Sequence, residues 1–295
     1  MVPESPRYLV ARGNPEKAKQ ILIKYHGRGD TDCELVNTEF REIQDTIEHE
    51  ETCEGNGWID LVRSPGNRRR LLIILTLGFF SQLSGNGLVS YYISDVLTGA
   101  GISDPETQLE INGILMIVNL ISAVGSSFLM DKLGRRPLFI YSTTGMLISF
   151  SVWTICAARF VQTGAKPAAN AEVAFIFIFY ICYNLAWSGP MVGYAVEILP
   201  YRIRAKGVTL LFLAIDLALF FNSYVNPIAL GSMGWKYYIV YDVWLAIELV
   251  VVFVFYVETR KTPLEEIRKY FDKDDTLPGL ILSPKMDLAE KGPLY

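Results

Sequence analysis

Six stretches of this chain run about 20 residues or more with almost no charge, and polar sequence separates them: 71–97, 111–130, 137–158, 173–196, 207–230 and 237–257. A helix needs roughly 20 apolar residues to cross the ~30 Å core of a bilayer, so each stretch predicts a membrane span. The fifth carries one charge, Asp216, and the sixth carries Asp242 and Glu248. Residues 1–70 follow a different pattern. In NPEKAKQILIKYHG, Asn14 is an N-cap candidate, Pro15 opens the helix, and Ala18, Ile21, Leu22 and Tyr25 share a face. Thr31 and Glu34 stand in capping-box register ahead of Leu35, Phe40, Ile43 and Ile47, and a third short piece holds Trp58, Ile59 and Leu61. After the sixth span, Thr262 and Pro263 open one more helix, and beyond Asp275 the pattern fades into expected disorder. The expectation is an all-α membrane protein: amphipathic helices over 1–70, a six-helix bundle over 71–257 and a tail over 258–295.

Composition supports this division. The chain is 51% hydrophobic and 13% aromatic, with a mean hydropathy of +0.27, above that of ordinary soluble domains. The net charge of -4 is small and the basic residues fall in short clusters, so nucleic acid is not a suggested partner. Cys33, Cys53, Cys156 and Cys182 form no C-x-x-C, which predicts neither a disulfide framework nor a zinc site, and no cofactor is implied. Met1 runs directly into VPESPR, so no secretory leader is expected. The basic clusters alternate between connections. Arg68, Arg69 and Arg70 precede the first span, Lys132, Arg135 and Arg136 follow the second, Arg202, Arg204 and Lys206 follow the fourth, and Arg260 and Lys261 follow the sixth. The opposite connections hold only Arg159, Lys166 and Lys236. The positive-inside rule then places both termini in the cytoplasm, with the plasma membrane as the expected location.

Polar side chains inside the spans need partners that lipid does not offer. Gln82, Asn86 and Ser90 drift along one helical face of the first span, Asn119, Ser122 and Ser126 do so in the second, and Asn184, Trp187 and Ser188 in the fourth. Gly189-Pro190 and Asn226-Pro227 predict interruptions, which membranes tolerate where the backbone is buried or lines a wet cavity. Such residues serve as bonds between helices at about 0.6 kcal/mol each. Amide and aromatic stripes on several spans also suit a neutral polyhydroxylated solute, a sugar; no span carries a mid-membrane Lys or Arg to neutralise an anion. Asp216, near the midplane, is a candidate for carrying a proton or bonding the solute, with bonding to a neighbouring helix as the alternative. Glu248 lies in uniformly apolar sequence and reads as helix pairing, while Asp242 reads as a wet position near the outer edge.

Several segments resemble the sugar porters of the major facilitator superfamily. DKLGRRP (131–137) is similar to the D-x-x-G-R-R loop, SQLSGNGLVSYY (81–92) to Q-Q-x-x-G-x-N-x-x-x-Y-Y, and VEILPYRIRAKG (196–207) to E-x-x-P-x-x-x-R-x-x-G. PESPRYL (3–9) resembles the segment after the family's sixth helix, VETRKTPLEEI (257–267) that after its twelfth, and NPIAL with GWKYYIVY the fungal lactose-permease-like, cellodextrin and hexose transporters. The resemblance implies transport of a hexose or disaccharide by alternating access, with proton coupling open. It implies sugar contacts at Gln82, Asn119 and Asn184, and an outer gate at Tyr91 and Tyr92. Ser81 replaces the family's first glutamine, and its asparagine falls on Gly87 with Asn86 beside it. Val192 stands at a family tryptophan, with Trp187 as a replacement one turn away, and Asp216 falls near another. These departures suit a changed or larger pocket, such as one for a disaccharide.

The resemblance also implies a cytoplasmic charge network of Asp131, Arg135, Arg136, Glu197 and Arg204, joined by Glu4, Arg7 and Glu258, that locks one side shut. Positive-inside placement alone is the simpler account of its arginines. The family has two six-helix halves with substrate between them, and this chain begins where the first should have ended. It is therefore expected to be the C-terminal half, lacking an N-terminal six-helix partner, with sugar and the bilayer as its other partners. Alternatives are a membrane sugar sensor, or a six-helix protein that pairs with itself or a separate half. An enzyme is disfavoured, since neither His26 nor His49 lies in a span and no H-E-x-x-H or G-x-S-x-G occurs.

Overall fold

Capping chemistry sets where the long helices begin, and hydrophobic content sets how much of each lies in lipid. The computed structural model describes residues 4–27, 29–30, 33–52, 58–260, 262, 267 and 270–271, without the side chains of 46, 49–52, 131, 201 and 202. The readings for Thr31, Cys53, the Pro263 helix start and the tail after Asp275 lie outside the described residues. Within them the chain is α-helical, and six segments are long and apolar enough to cross a membrane: Pro65–Gly99, Pro105–Met130, Arg135–Thr163, Lys166–Ile198, Ile203–Met233 and Lys236–Phe255. Each expected span falls inside or within a few residues of one of them. The second helix starts six residues before the apolar run because Asp104 caps it, accepting from the Thr107 amide at 2.9 Å, and Pro105 follows at the first position.

Ahead of the spans come α1 (Pro6–Ala11), α2 (Pro15–Tyr25), α3 (Glu34–Thr52) and α4 (Asp60–Arg63). The first three pack on one another around Leu22, Val36 and Ile43, a small core separate from the main one. The spans are α5 (Pro65–Leu83) with α6 (Asn86–Gly99), α7 (Pro105–Leu133), α8 (Arg135–Thr163), α9 (Lys166–Ala186) with α10 (Pro190–Ile198), α11 (Tyr201–Met233) and α12 (Lys236–Phe255). Helix α8 packs on α9 and α12, α5 on α11, and α7 on α9. An aromatic core of Phe80, Phe139, Phe150, Trp153, Phe179, Trp187 and Tyr256 fills the bundle. Helices α7 and α11 are the least buried of the spans.

Two expectations about continuity change. The first span is two helices, because Gly85 takes φ +94° between Leu83 and Asn86. A side chain at that φ is strained, and a Cβ there would meet the Phe150 ring at 2.7 Å. Gln82, Asn86 and Ser90 therefore do not share one continuous face. The fifth span, in contrast, runs unbroken through Pro227. The fourth breaks at Gly189-Pro190 as expected, with α9 ending at Ala186.

Candidate functional site

A helix that stops inside a membrane leaves its last carbonyls without intrahelical partners, and in lipid these must be bonded by something else. At the end of α5 each of three carbonyls receives a side chain. Ser84 Oγ donates to Phe80, Tyr183 Oη to Ser81 at 2.7 Å, and Asn222 Nδ2 to Gln82 at 2.6 Å. Helix α9 supplies the tyrosine and α11 the asparagine, so the break is tied to two other spans. Ser84 Oγ also lies 2.9 Å from a Glu248 carboxyl oxygen, and Glu248 is 0% exposed. Its partner across α12 and the break agrees with a helix-pairing role.

On the other side of the break, Asn86 Nδ2 donates to Tyr183 Oη at 3.1 Å, while Tyr180 Oη donates to the Asn86 carbonyl at 2.8 Å and lies 2.7 Å from Ser90 Oγ. Asn184 Nδ2 donates to the Tyr180 carbonyl and to Asn119 Oδ1, each at 2.9 Å. A single hydrogen-bonded set therefore joins Asn119, Asn184, Tyr180, Asn86 and Tyr183 across α7, α9 and α6. Gln82 and Asn119 are half-buried, and Ser90 is exposed. Tyr91 is 63% exposed. Behind the break, Asn226 Oδ1 accepts from Tyr237 at 2.9 Å and Tyr241 at 2.7 Å. These groups are neutral donors and acceptors, able to exchange bonds with hydroxyls.

Three predicted residues stand elsewhere. Trp187 is 0% exposed; it follows the end of α9, packs on Phe80 and Phe139, and donates from Nε1 to Thr143 at 3.2 Å. It is a core residue: its amide still donates to the Tyr183 carbonyl in helical register, but its ring turns to Thr143 and Phe139 of α8 while Asn184 reaches Asn119 of α7. Asp216 is exposed on the face of α11 turned away from α5. Seven residues on, nearly in line with it, lies Ser223, whose carbonyl Pro227 leaves without a helical amide; Tyr92 Oη donates there at 3.3 Å. Asp242 is half-buried and accepts from Ser151 at 3.1 Å, so it is less wet than expected.

At the end with the basic connections, Arg135 grips Glu197 through Nε at 3.1 Å and Nη2 at 2.8 Å, and Thr259 Oγ1 donates to the same carboxylate at 2.6 Å. Glu258 accepts the backbone amides of Arg135 at 3.0 Å and Arg136 at 3.1 Å, placing an anion at the N-terminus of α8. Gly134, at φ +96°, leaves room for it: a Cβ there would lie 2.8 Å from the carboxylate. The Arg136 side chain turns outward to the Phe253 carbonyl at 2.8 Å, and Arg204 bonds the Leu199 carbonyl at 3.2 Å. Glu4 pairs with Lys17 at 3.4 Å on the α1–α2 unit. No described bond carries Glu4 into the Arg135–Glu197–Glu258 cluster. Arg7 is half-buried and lines a cavity of about 320 Å³ with Glu4, His26 and Glu39. The Asp131 side chain lies outside the described residues.

Residues 1–271 match the family described as "Sugar (and other) transporter". The chain belongs to that sugar transporter family. It is 30% identical to the MFS-type transporter oryC of Aspergillus oryzae, covering 97% of this chain and 53% of that one. It is also 30% identical to the sugar transporter STL1 of Saccharomyces cerevisiae, covering 98% and 51%. The chain thus spans about half the length of the curated relatives it matches. Among solved structures it resembles the proton:xylose symporter XylE bound to 6-bromo-6-deoxy-D-glucose, at 26% identity and a TM-score of 0.73, covering 92% of this chain and 55% of that one. Against the inward open form of XylE from E. coli, at 25% identity and covering 92% and 52%, the TM-score is 0.58. In this sugar transporter chain, Tyr180 and Tyr183 were missed in the sequence although they organise the polar set. Tyr183 and Asn184 both lie one turn after Tyr180, a spacing that signals a shared side of the helix.

Proposed function

We propose that this chain forms one wall of a sugar transporter that works by alternating access, the C-terminal half of a two-half assembly. The observation that carries this reading is the broken first span, whose neutral amides and hydroxyls lie between α7 and α11, the two least covered spans. Gln82, Asn86, Asn119 and Asn184 bond the sugar in this reading, and Tyr91 and Tyr92 close over it. A hexose or disaccharide suits a surface of uncharged donors and acceptors. Asp216 faces the same side as Ser223 and Tyr92, and it carries a proton or bonds the solute there. Arg135, Glu197 and Glu258 form the gate at the basic end, which faces the cytoplasm of the plasma membrane with both termini. The better match to the sugar-bound than to the inward open relative supports a closed gate in this conformation.

The test is to join or co-express the chain with an N-terminal six-helix half from a relative and measure uptake of labelled hexoses and disaccharides. Saturable uptake that Gln82→Ala weakens is the expected result. A well-expressed, folded assembly that moves no sugar would overturn the reading. In an active assembly, Asp216→Asn abolishing pH-driven accumulation supports proton carriage, and unchanged accumulation removes it.

A further inference from the structure

One face of α5 is only partly covered by protein, with Arg68 and Leu72 exposed on it. Arg68, Leu72, Leu75, Phe79 and Leu83 follow one another at helical spacing, and Trp244 of α12 walls the groove they line. Its volume is about 400 Å³, and Leu72 is 40% exposed. From Arg68 to Leu83 the groove covers about 22 Å at 1.5 Å per residue, enough to enter one leaflet at a slant. Its lining is apolar throughout except for Thr76 and the cation at its head.

That cation is distinct from its neighbours. Arg70 donates to Asn67 Oδ1 at 2.8 Å and lies over the Phe271 ring, and Arg69 faces the same ring. Arg68 is exposed at the mouth of the groove and makes no ion pair among the described residues. The volume helps decide the occupant. About 400 Å³ matches the bulk of a small flexible ligand such as one acyl chain. An apolar slot that begins at the membrane surface under an arginine matches an acyl chain with an anionic headgroup.

We propose that this groove binds an anionic phospholipid, one acyl chain lying along α5 and the phosphate on Arg68. The chain end then reaches Phe80, Leu83 and Trp244, next to the break at Ser84 and Gly85, so occupancy bears on the segment that holds the polar set. This site stands independently of which sugar, if any, is carried.

The test is native mass spectrometry of the full 295-residue chain in detergent with phosphatidylglycerol and phosphatidylcholine of identical acyl chains. The expected result is about fivefold greater retention of phosphatidylglycerol, the factor one basic residue at an anionic surface supplies. Arg68→Gln abolishes the preference, Arg68→Lys keeps most of it, and Leu75→Trp lowers retention of both lipids. Leu217→Trp, on the exposed face of α11, changes neither. Equal retention of the two lipids, or a preference that survives Arg68→Gln, would overturn the proposal. So would a Leu75→Cys chain that cross-links to a second copy, which assigns the groove to a protein neighbour. Should Leu75→Trp fail to fold, the Arg68 variants decide.

Discussion

The Tyr183 hydroxyl donates to the Ser81 carbonyl at 2.7 Å and accepts from Asn86 Nδ2 at 3.1 Å, so one side chain of α9 clamps both sides of the break between α5 and α6. Both bonds are buried, and removing the hydroxyl strands a carbonyl and an amide away from water. Each stranded group costs about 1–3 kcal/mol. Tyr183→Phe should therefore lower the thermal unfolding midpoint of the purified chain well beyond what losing one surface hydrogen bond would do. An unchanged midpoint would mean that water reaches the break.

Gly78 sets how closely α5 approaches α11. A Cβ added there would lie 2.6 Å from the Ala214 Cβ and 2.8 Å from the Leu211 carbonyl, both on the facing helix. Neither is the flexible end of a long side chain, so the helices must separate. Overpacking of this kind costs about 1–3 kcal/mol. Gly78→Ala should destabilise the chain, and Ala214→Gly in the same molecule should recover part of the loss. The double-mutant cycle in thermal unfolding measures the coupling. Additive effects would show that the two positions do not share the contact.

The basic end gives a sharper pair of variants. Gly134→Ala puts a methyl against the Glu258 carboxylate and demands φ +96° of an alanine, so it should release the cap on α8. Arg135→Lys keeps the charge but loses the two-point grip on Glu197. In a transporting assembly both should increase labelling of cysteines placed near Tyr194 from the basic side. Arg63→Lys, outside the cluster, should leave labelling unchanged. Labelling that stays at the wild-type level in both variants would show that the cluster does not close that end.

The six spans were legible because a bilayer imposes a length on any helix that crosses it, and 207–230 or 237–257 satisfy that length with one or two charges. Asp104 and Pro105 show the limit: the cap fixes the start of the helix, whereas hydropathy reports only where lipid begins. The break at Gly85 was not legible, since a glycine in a membrane helix is ordinary and its positive φ depends on Phe150 and the tyrosines of α9. The same limit affects the site. Ser84, Asn86 and Asn222 are the residue types a sugar would select, and they are also the types that an interrupted backbone needs. Composition cannot separate these demands; the bonds to the Phe80, Ser81 and Gln82 carbonyls do. Trp187 was misplaced because a step of three residues from Asn184 turns about 60° around the helix, which carries its ring away from Asn119 to Phe139 and Thr143.

Asp104 ties the start of α7 to pH. Its carboxylate accepts from the Thr107 hydroxyl at 2.6 Å and from the Thr107 amide at 2.9 Å. These bonds, the hydroxyl foremost, hold its pKa below the ordinary 3.8. A carboxyl lowered on folding stabilises the helix start above its unfolded value, and that contribution disappears as pH falls through the folded value. Hydrogen exchange at the Thr107 amide should be protected at pH 6 and lose protection under strong acid, after correction for intrinsic rates. Thr107→Val should move the loss to higher pH, and an identical profile would show that the hydroxyl does not hold the carboxylate.

Tyr92 and Pro227 form the last testable pair, through an atom that belongs to neither. Proline at 227 has no amide to offer the Ser223 carbonyl one turn back, and the Tyr92 hydroxyl of α6 donates there instead, at 3.3 Å. Pro227→Ala restores an amide to α11 and satisfies that carbonyl within its own helix. Tyr92→Phe in the wild-type background should then cost about 0.5–1.5 kcal/mol, and much less in the Pro227→Ala background. The exposed position of the bond favours the lower end of that range. If Tyr92→Phe costs the same in both backgrounds, the hydroxyl is not held by the carbonyl that the proline frees. The tyrosine would then be anchored to α11 by packing alone, and its motion as a gate would be independent of the fifth span.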